Sequence, residues 1–470
     1  MKRSKRIYVL LGVLAAVSIA TFAVSRFTEH KEQIKNSDEI ILELPGDSVQ
    51  SLSWEYESET LAFHKDEKWL YDDDEAFPVN EKKINKLLKP FEEFGVPFVI
   101  EKVKDFAQYG LDNPTCTINL KTKDKSYEIL LGNYSNMDSE RYVSIGDGNV
   151  YLVKEDPLDK FNISLSDMIE HDNTPSIDKA DEIKFSGAET YNIVYEEDSA
   201  STYCNEDVYF TQQDNSKLPL DTSRVDSYLS NISDLKLKDY MTYNVSEKEL
   251  QKYGLDKPEL TITVGYTTED KDGKETSDTF ILNVSRDPEE KKAAEKLDKK
   301  EEDNSEEEEI TAYARVVDSK IVYQISSDSY ENLMDASYDS LRHLEVLSAD
   351  FADIHQIDIS LEGETYTITS KEKKGERIYI YQNEELEMED FKYAVESLEA
   401  NSFTDKQPQK KGEISLTVYL DNENYPKVQI ELYRYNGKEC LAVVDGKPVS
   451  LVRRLAVVDL IESVHAIVLD

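Results

Sequence analysis

The feature that most constrains this chain is a short segment that occurs twice, Tyr109-Gly110-Leu111-Asp112-Asn113-Pro114 and Tyr253-Gly254-Leu255-Asp256-Lys257-Pro258. In the second copy Ser246-Glu247-Lys248-Glu249 has the pattern of a capping box that starts a short helix. Gly254 can adopt the left-handed conformation that ends it, and Leu255 folds back onto the last turn. Pro258 then forbids more helix and launches a strand. Alternating β-branched residues follow each copy, Thr115-Cys116-Thr117-Ile118 and Thr261-Ile262-Thr263-Val264. A corner of this kind needs a sheet to lie on.

Other elements recur around the corner. Ile84, Leu87, Leu88, Phe91 and Phe94 follow Asn80 at helical spacing, and Val225, Tyr228, Leu229, Ile232 and Leu235 repeat it after Asp221. Phe391, Ala394, Val395 and Leu398 repeat most of it again. Short strands precede these helices at Trp69-Leu70-Tyr71, Val208-Tyr209-Phe210 and Ile378-Tyr379-Ile380. Hairpins are expected around Gly146-Asp147-Gly148, Asp318-Ser319 and Asp445-Gly446, each followed by a helical tail near 157–168, 329–341 and 454–464.

The common order predicts an α+β protein of three tandem units, each of antiparallel strands packed on an amphipathic helix, over residues 44–172, 180–345 and 350–470. The third unit lacks the Gly-Leu-Asp-x-Pro corner, having only Lys411-Gly412-Glu413 before its strand, and reads as a degenerate copy. A charged insertion at 287–309 interrupts the second unit and reads as a surface loop.

The chain opens with a basic tail at 1–6, then Ile7–Ser25 without a charge. As a helix that run reaches ~28 Å, close to the hydrocarbon thickness of a bilayer, so 7–25 is expected to be a transmembrane helix. The preceding Lys and Arg residues should stay cytoplasmic, placing the bulk outside. A cleaved signal peptide is the competing reading, with Ser18-Ile19-Ala20 and Ala23-Val24-Ser25 as small-residue sites. Residues 26–43 read as a stalk.

A formal charge of −42 excludes ordinary nucleic-acid binding, because phosphates would be repelled. The three cysteines, Cys116, Cys204 and Cys440, have no short spacing and suggest neither a disulfide framework nor a Cys-x-x-Cys metal site. The six histidines, His30, His64, His171, His343, His355 and His465, form no i, i+4 pair. Asp72-Asp73-Asp74-Glu75 lacks the alternating ligands and central glycine of a calcium loop and reads as a turn. Neither a nucleophile-elbow nor a phosphate-loop signature occurs, so no catalytic, cofactor-binding or metal residue is assigned and no cofactor is expected. Asp112 and Asp256 are the sharpest candidates for a repeated functional residue, although turn formation accounts for both.

The two corners, the helix before them, Trp69-Leu70-Tyr71, Leu130-Leu131-Gly132-Asn133 and the apolar N-terminal run together resemble the bacterial domain-of-unknown-function 4340 family. That resemblance implies a single-pass exported protein of uncharacterised biochemistry, often encoded near ATP-driven transporter components, and carries over no catalytic residue. The expected role is therefore a non-enzymatic binding or scaffold protein at the outer face of the cell membrane, with a transporter or envelope protein as partner. An exported cell-wall or glycan hydrolase using acidic residues is the alternative, as is a receptor with a ligand site between units. The sequence names no ligand.

Overall fold

The computed structural model describes residues 33–470 apart from 137–138, 178, 214–215, 270–272, 298–308, 374–375 and 470. The basic tail and apolar run of residues 1–25 lie outside the described residues. Among those described, no helix is long and apolar enough to cross a membrane. The backbone forms three nine-stranded sheets in which every neighbouring pair is antiparallel. The fold is thus predominantly β with some helices. The expected α+β balance overstates the helix, because the apolar stripes sit on short elements such as Glu81–Leu88 and Glu389–Glu396, one across each large sheet.

Across the first sheet the strands run Gln33–Leu42, Phe94–Glu101, Val150–Val153, Glu140–Ser144, Ser126–Ser135, Cys116–Thr122, Val49–Tyr56, Glu59–Lys65 and Trp69–Tyr71. Leaving out Gln33–Leu42, chain order gives three strands, a helix, a fourth strand at the opposite edge, and four more that fill the gap. With the short edge strands Ser216–Pro219 and Glu384–Leu386 also left out, the second and third sheets repeat that order, with Ala180–Gly187 and Ile354–Leu361 as first strands and Leu260–Glu269 and Gly412–Leu420 as fifth strands. Even a defect recurs. The first strand slips by one residue against the fifth between Val49 and Ser51, between Ala180 and Glu182, and between Ile354 and Gln356. Such bulges are built features of a sheet, and this one extends the likeness of strand order to the third unit.

The crossover from third to fourth strand spans seven inter-strand gaps, ~34 Å at the usual spacing. Its helix buries Ile84, Leu87 and Leu88 in the first unit, Val225, Tyr228, Leu229 and Ile232 in the second, and Phe391, Ala394 and Val395 in the third. Asn80 caps the first helix by accepting from the Lys83 amide at 3.0 Å, and Asp221 caps Thr222–Ser233 by accepting from the Ser223 amide at 2.9 Å. Phe94 leaves the expected helical stripe and begins the fourth strand, since Pro90 cannot supply the amide that would continue an α-helix. The tails close back onto the helix starts: the amides of Asn80 and Asp221 donate to the carbonyls of Met168 and Leu341 at 2.8 and 3.0 Å.

The corners are built as their residues predict. Gly110 and Gly254 both have φ of +69°, and the amides of Leu111 and Leu255 reach back to the Phe106 and Leu250 carbonyls at 3.1 and 3.0 Å. The turn in each is 3-10 rather than α. Each corner lies over a small apolar cluster, with Tyr109 and Leu111 on Val150 and Leu152, and Tyr253 and Leu255 on Tyr313 and Val322. A β-carbon on Gly132 would sit 2.2 Å from the Tyr109 carbonyl oxygen, which is why a glycine stands there.

One expected non-sheet segment differs. From Gln33 onward the expected stalk is an edge strand on Phe94–Glu101. An edge strand tolerates such a polar sequence because pairing uses backbone groups. The 287–309 insertion opens as a helix, Pro288–Leu297, with Asp287 accepting from the Glu289 and Glu290 amides at 2.8 and 3.1 Å. Lys291 pairs with Glu259, whose carboxylate also accepts from the Arg286 amide and the Tyr330 hydroxyl, both at 2.8 Å.

Although burial opposes it, these donors hold the Glu259 carboxyl below its ordinary pKa. Its stabilising effect is therefore complete above the unfolded value near ~4.3 and is lost as pH falls through the folded one. Glu259→Gln should flatten the acid limb of the melting temperature against pH between roughly 3 and 5. Gly254→Ala should cost about 1–2 kcal/mol for the left-handed backbone. Gly132→Ala, which must displace a carbonyl, should cost about 2–3 kcal/mol in urea unfolding; a reversed ranking would contradict the packing described.

Candidate functional site

Most candidate residues of the sequence are absorbed by local structure. Asp112 and Asp256 are exposed at their corners. Within Asp72–Glu75, Asp72 holds His64 Nδ1 at 2.7 Å, Asp73 accepts from the Tyr71 hydroxyl at 3.0 Å, and Asp74 accepts from the Ala76 amide at 2.9 Å, a closed turn. Asp147 binds the Asn149 amide at 3.1 Å and the Tyr151 hydroxyl inside its hairpin. Cys116 and Cys440 are buried, and burial pushes both thiols up to about 12. His355 pairs with Asp421 at 3.0 Å, and His465 lies 4.0 Å from Glu362. His30 lies outside the described residues.

Cys204 and His343 behave differently. The chain divides into two compact units, one ending at His171 and one spanning Asp172–Asp470. Within the latter, residues 202–207 form a tight turn between Tyr191–Tyr195 and Tyr209–Gln213. The Thr202 hydroxyl donates to Asp207 Oδ2 at 2.6 Å and accepts from the Cys204 amide at 3.0 Å. The turn leans on the third sheet: Tyr203 packs against its core and meets Tyr425 edge-on at 5.7 Å, and Asn205 donates to Asp353 at 3.0 Å. From the other side comes the connection between the second and third sheets. Ala400 donates to the Leu344 carbonyl at 2.7 Å, Glu345 bridges Glu399, and the Arg342 guanidinium lies 4.2 Å over Phe403.

The two segments meet at His343. Its Nε2 lies 2.7 Å from Asp207 Oδ1 and its Nδ1 3.7 Å from Glu345 Oε2. The Asp207 side chain is only 1% exposed. Burial by itself pulls the imidazole pKa down, but the hydrogen bonds to Asp207 and Glu345 outweigh it and raise the value to about 9. Hydrogen bonding to His343 holds the Glu345 carboxyl low. Burial, then the Asp207 charge, push the Cys204 thiol up to about 12. The shift runs opposite to the one that activates a cysteine nucleophile. What the arrangement offers is a converging donor set: a sulfur of Cys204, a carboxylate oxygen of Asp207 and a ring nitrogen of His343 lie within 4.8 Å of one another, as do donors of Asp221, His343 and Glu345.

Sequence reading missed this cluster because Asp207 and His343 stand 136 residues apart. The only local signal was a cysteine three residues before an aspartate in a polar run. The model of the family described as a domain of unknown function, DUF4340, matches residues 69–209 and 211–416. The chain belongs to this family. Neither a curated protein nor a solved structure matches it. The DUF4340 match covers both corners and the His343 cluster, and it ends within the fifth strand of the third sheet.

Asp207→Ala removes the buried carboxylate that holds His343 and should destabilise the Asp172–Asp470 unit by about 1.5–3 kcal/mol in denaturant unfolding. Asp112→Ala and Asp256→Ala, both exposed, should stay within about 0.5 kcal/mol of the parent.

Proposed function

We propose that this DUF4340 protein is a membrane-anchored extracytoplasmic binding or scaffold component that works beside a transporter or another envelope assembly. The observation that carries this reading is the junction in the Asp172–Asp470 unit. There Tyr203, Asn205 and Asp207 of the second repeat are fixed against the third, so that two large sheets form one body. Sheets repeated and locked in this way present broad surfaces at fixed spacing, which suits holding a partner. A surface with so large a negative charge favours a cationic or polar partner over an anionic lipid face, and the apolar run at 7–25 supplies the anchor. The corners, the hairpins and the acidic turn are each accounted for by the fold, which leaves binding as the reading with the fewest added assumptions.

Cross-linking the full-length protein in intact cells, followed by identification of captured chains, tests this directly. Recovery of transporter or envelope-assembly subunits is expected. Recovery of cell-wall material alone, together with glycan cleavage by the purified protein, would replace the scaffold reading with a hydrolase.

A further inference from the structure

We propose that Cys204, Asp207 and His343 form a binding site for a divalent ion of the zinc class, which would clip the 202–207 turn to the connection between the second and third sheets. The donors are of the kinds such ions prefer: thiolate, imidazole and carboxylate. Their spacing brackets what a tetrahedral ion needs. Bonds of about 2.0–2.3 Å put donor atoms roughly 3.3–3.7 Å apart, against 2.7 Å between His343 Nε2 and Asp207 Oδ1 and a 4.8 Å limit for the whole set. Side-chain shifts on the order of 1 Å close the geometry.

Each donor is held from behind. Thr202 occupies Asp207 Oδ2, which leaves Oδ1 facing the imidazole. Glu345 Oε2 lies 3.7 Å from His343 Nδ1, within a small shift of the carboxylate-on-histidine hydrogen bond that orients a ring for metal at its other nitrogen. The Cys204 backbone is fixed by its amide on the Thr202 hydroxyl at 3.0 Å. Three nearby carboxylates, Asp207, Glu345 and Asp221, favour positive charge there, against the cost of burial. On binding, the thiol and imidazolium protons pass to solvent, and the ion's own charge compensates the thiolate that forms. Three protein donors leave the fourth position to water.

Cobalt titration of the full-length protein in detergent provides the test, with zinc as competitor. One equivalent of Co2+ should give a thiolate-to-metal charge-transfer band in the near ultraviolet and intense tetrahedral bands in the visible, both abolished by one equivalent of Zn2+. Cys204→Ser should remove the charge-transfer band, whereas Cys116→Ser and Cys440→Ser should keep it. As a positioning residue, Glu345 changed to Gln should weaken zinc binding about 10–100-fold without removing the band. The parent protein alone decides the matter if a variant fails to fold. No stoichiometric cobalt spectrum from the parent, or one that survives Cys204→Ser, overturns the site.

Discussion

In every sheet the first strand of the unit pairs with the fifth, after the chain has crossed the face with its helix and laid down the far edge. Leu52 stands opposite Leu120, Ile183 opposite Val264 and Ile357 opposite Val418, and all six are buried. Each such side chain contributes about 1.5–3 kcal/mol by leaving water. Because side chains alternate across a strand, sliding this ladder by one residue would turn the whole apolar set outward. The recurring one-residue bulge absorbs such an offset at one place, so hairpins on either side keep their register. The helix, both flanking hairpins and the corner are placed by reference to this pairing.

What was legible in the sequence was whatever short-range chemistry dictates. Gly110 and Gly254 declare a left-handed turn, Ile84, Leu87 and Leu88 a helical face, and Asp445-Gly446 a tight hairpin whose two residues have φ of +47° and +76°. What was not legible depends on partners far along the chain. Gln33–Leu42 joins a sheet through backbone groups that no side-chain pattern reports. Ser216–Pro219 and Glu384–Leu386, ninth strands of the second and third sheets, are short and lie at edges where alternation is weak. The His343 cluster is assembled only when a turn of one repeat meets the connection to the next.

The third unit separates what the design requires from what it merely uses. It lacks the corner, and the face that the corner covers elsewhere keeps only Leu441, Val443 and Leu451 with Tyr433 and Tyr435. On the other face, Cys440, Ala442 and Val452 belong to a large core with Phe391, Val395 and Val457. The strand order is unchanged. The helix-covered face therefore carries the fold, and the corner is an addition to the opposite one.

The position of the fourth strand also governs how such a chain can be assembled in time. Phe94–Glu101 pairs with Val150–Val153, Tyr240–Thr242 with Val322–Ile325, and Ala400–Phe403 with Lys447–Arg453, in each case the last strand of the unit to be made. Phe94–Glu101 has Gln33–Leu42 already made to pair with, but a nascent chain must hold Tyr240–Thr242 and Ala400–Phe403 unpaired until their units are almost complete, and closing so wide a loop is slow. Unpaired edges invite association with neighbouring chains. The dense negative charge then serves as a kinetic safeguard, keeping half-finished sheets apart through the interval in which their edges are open.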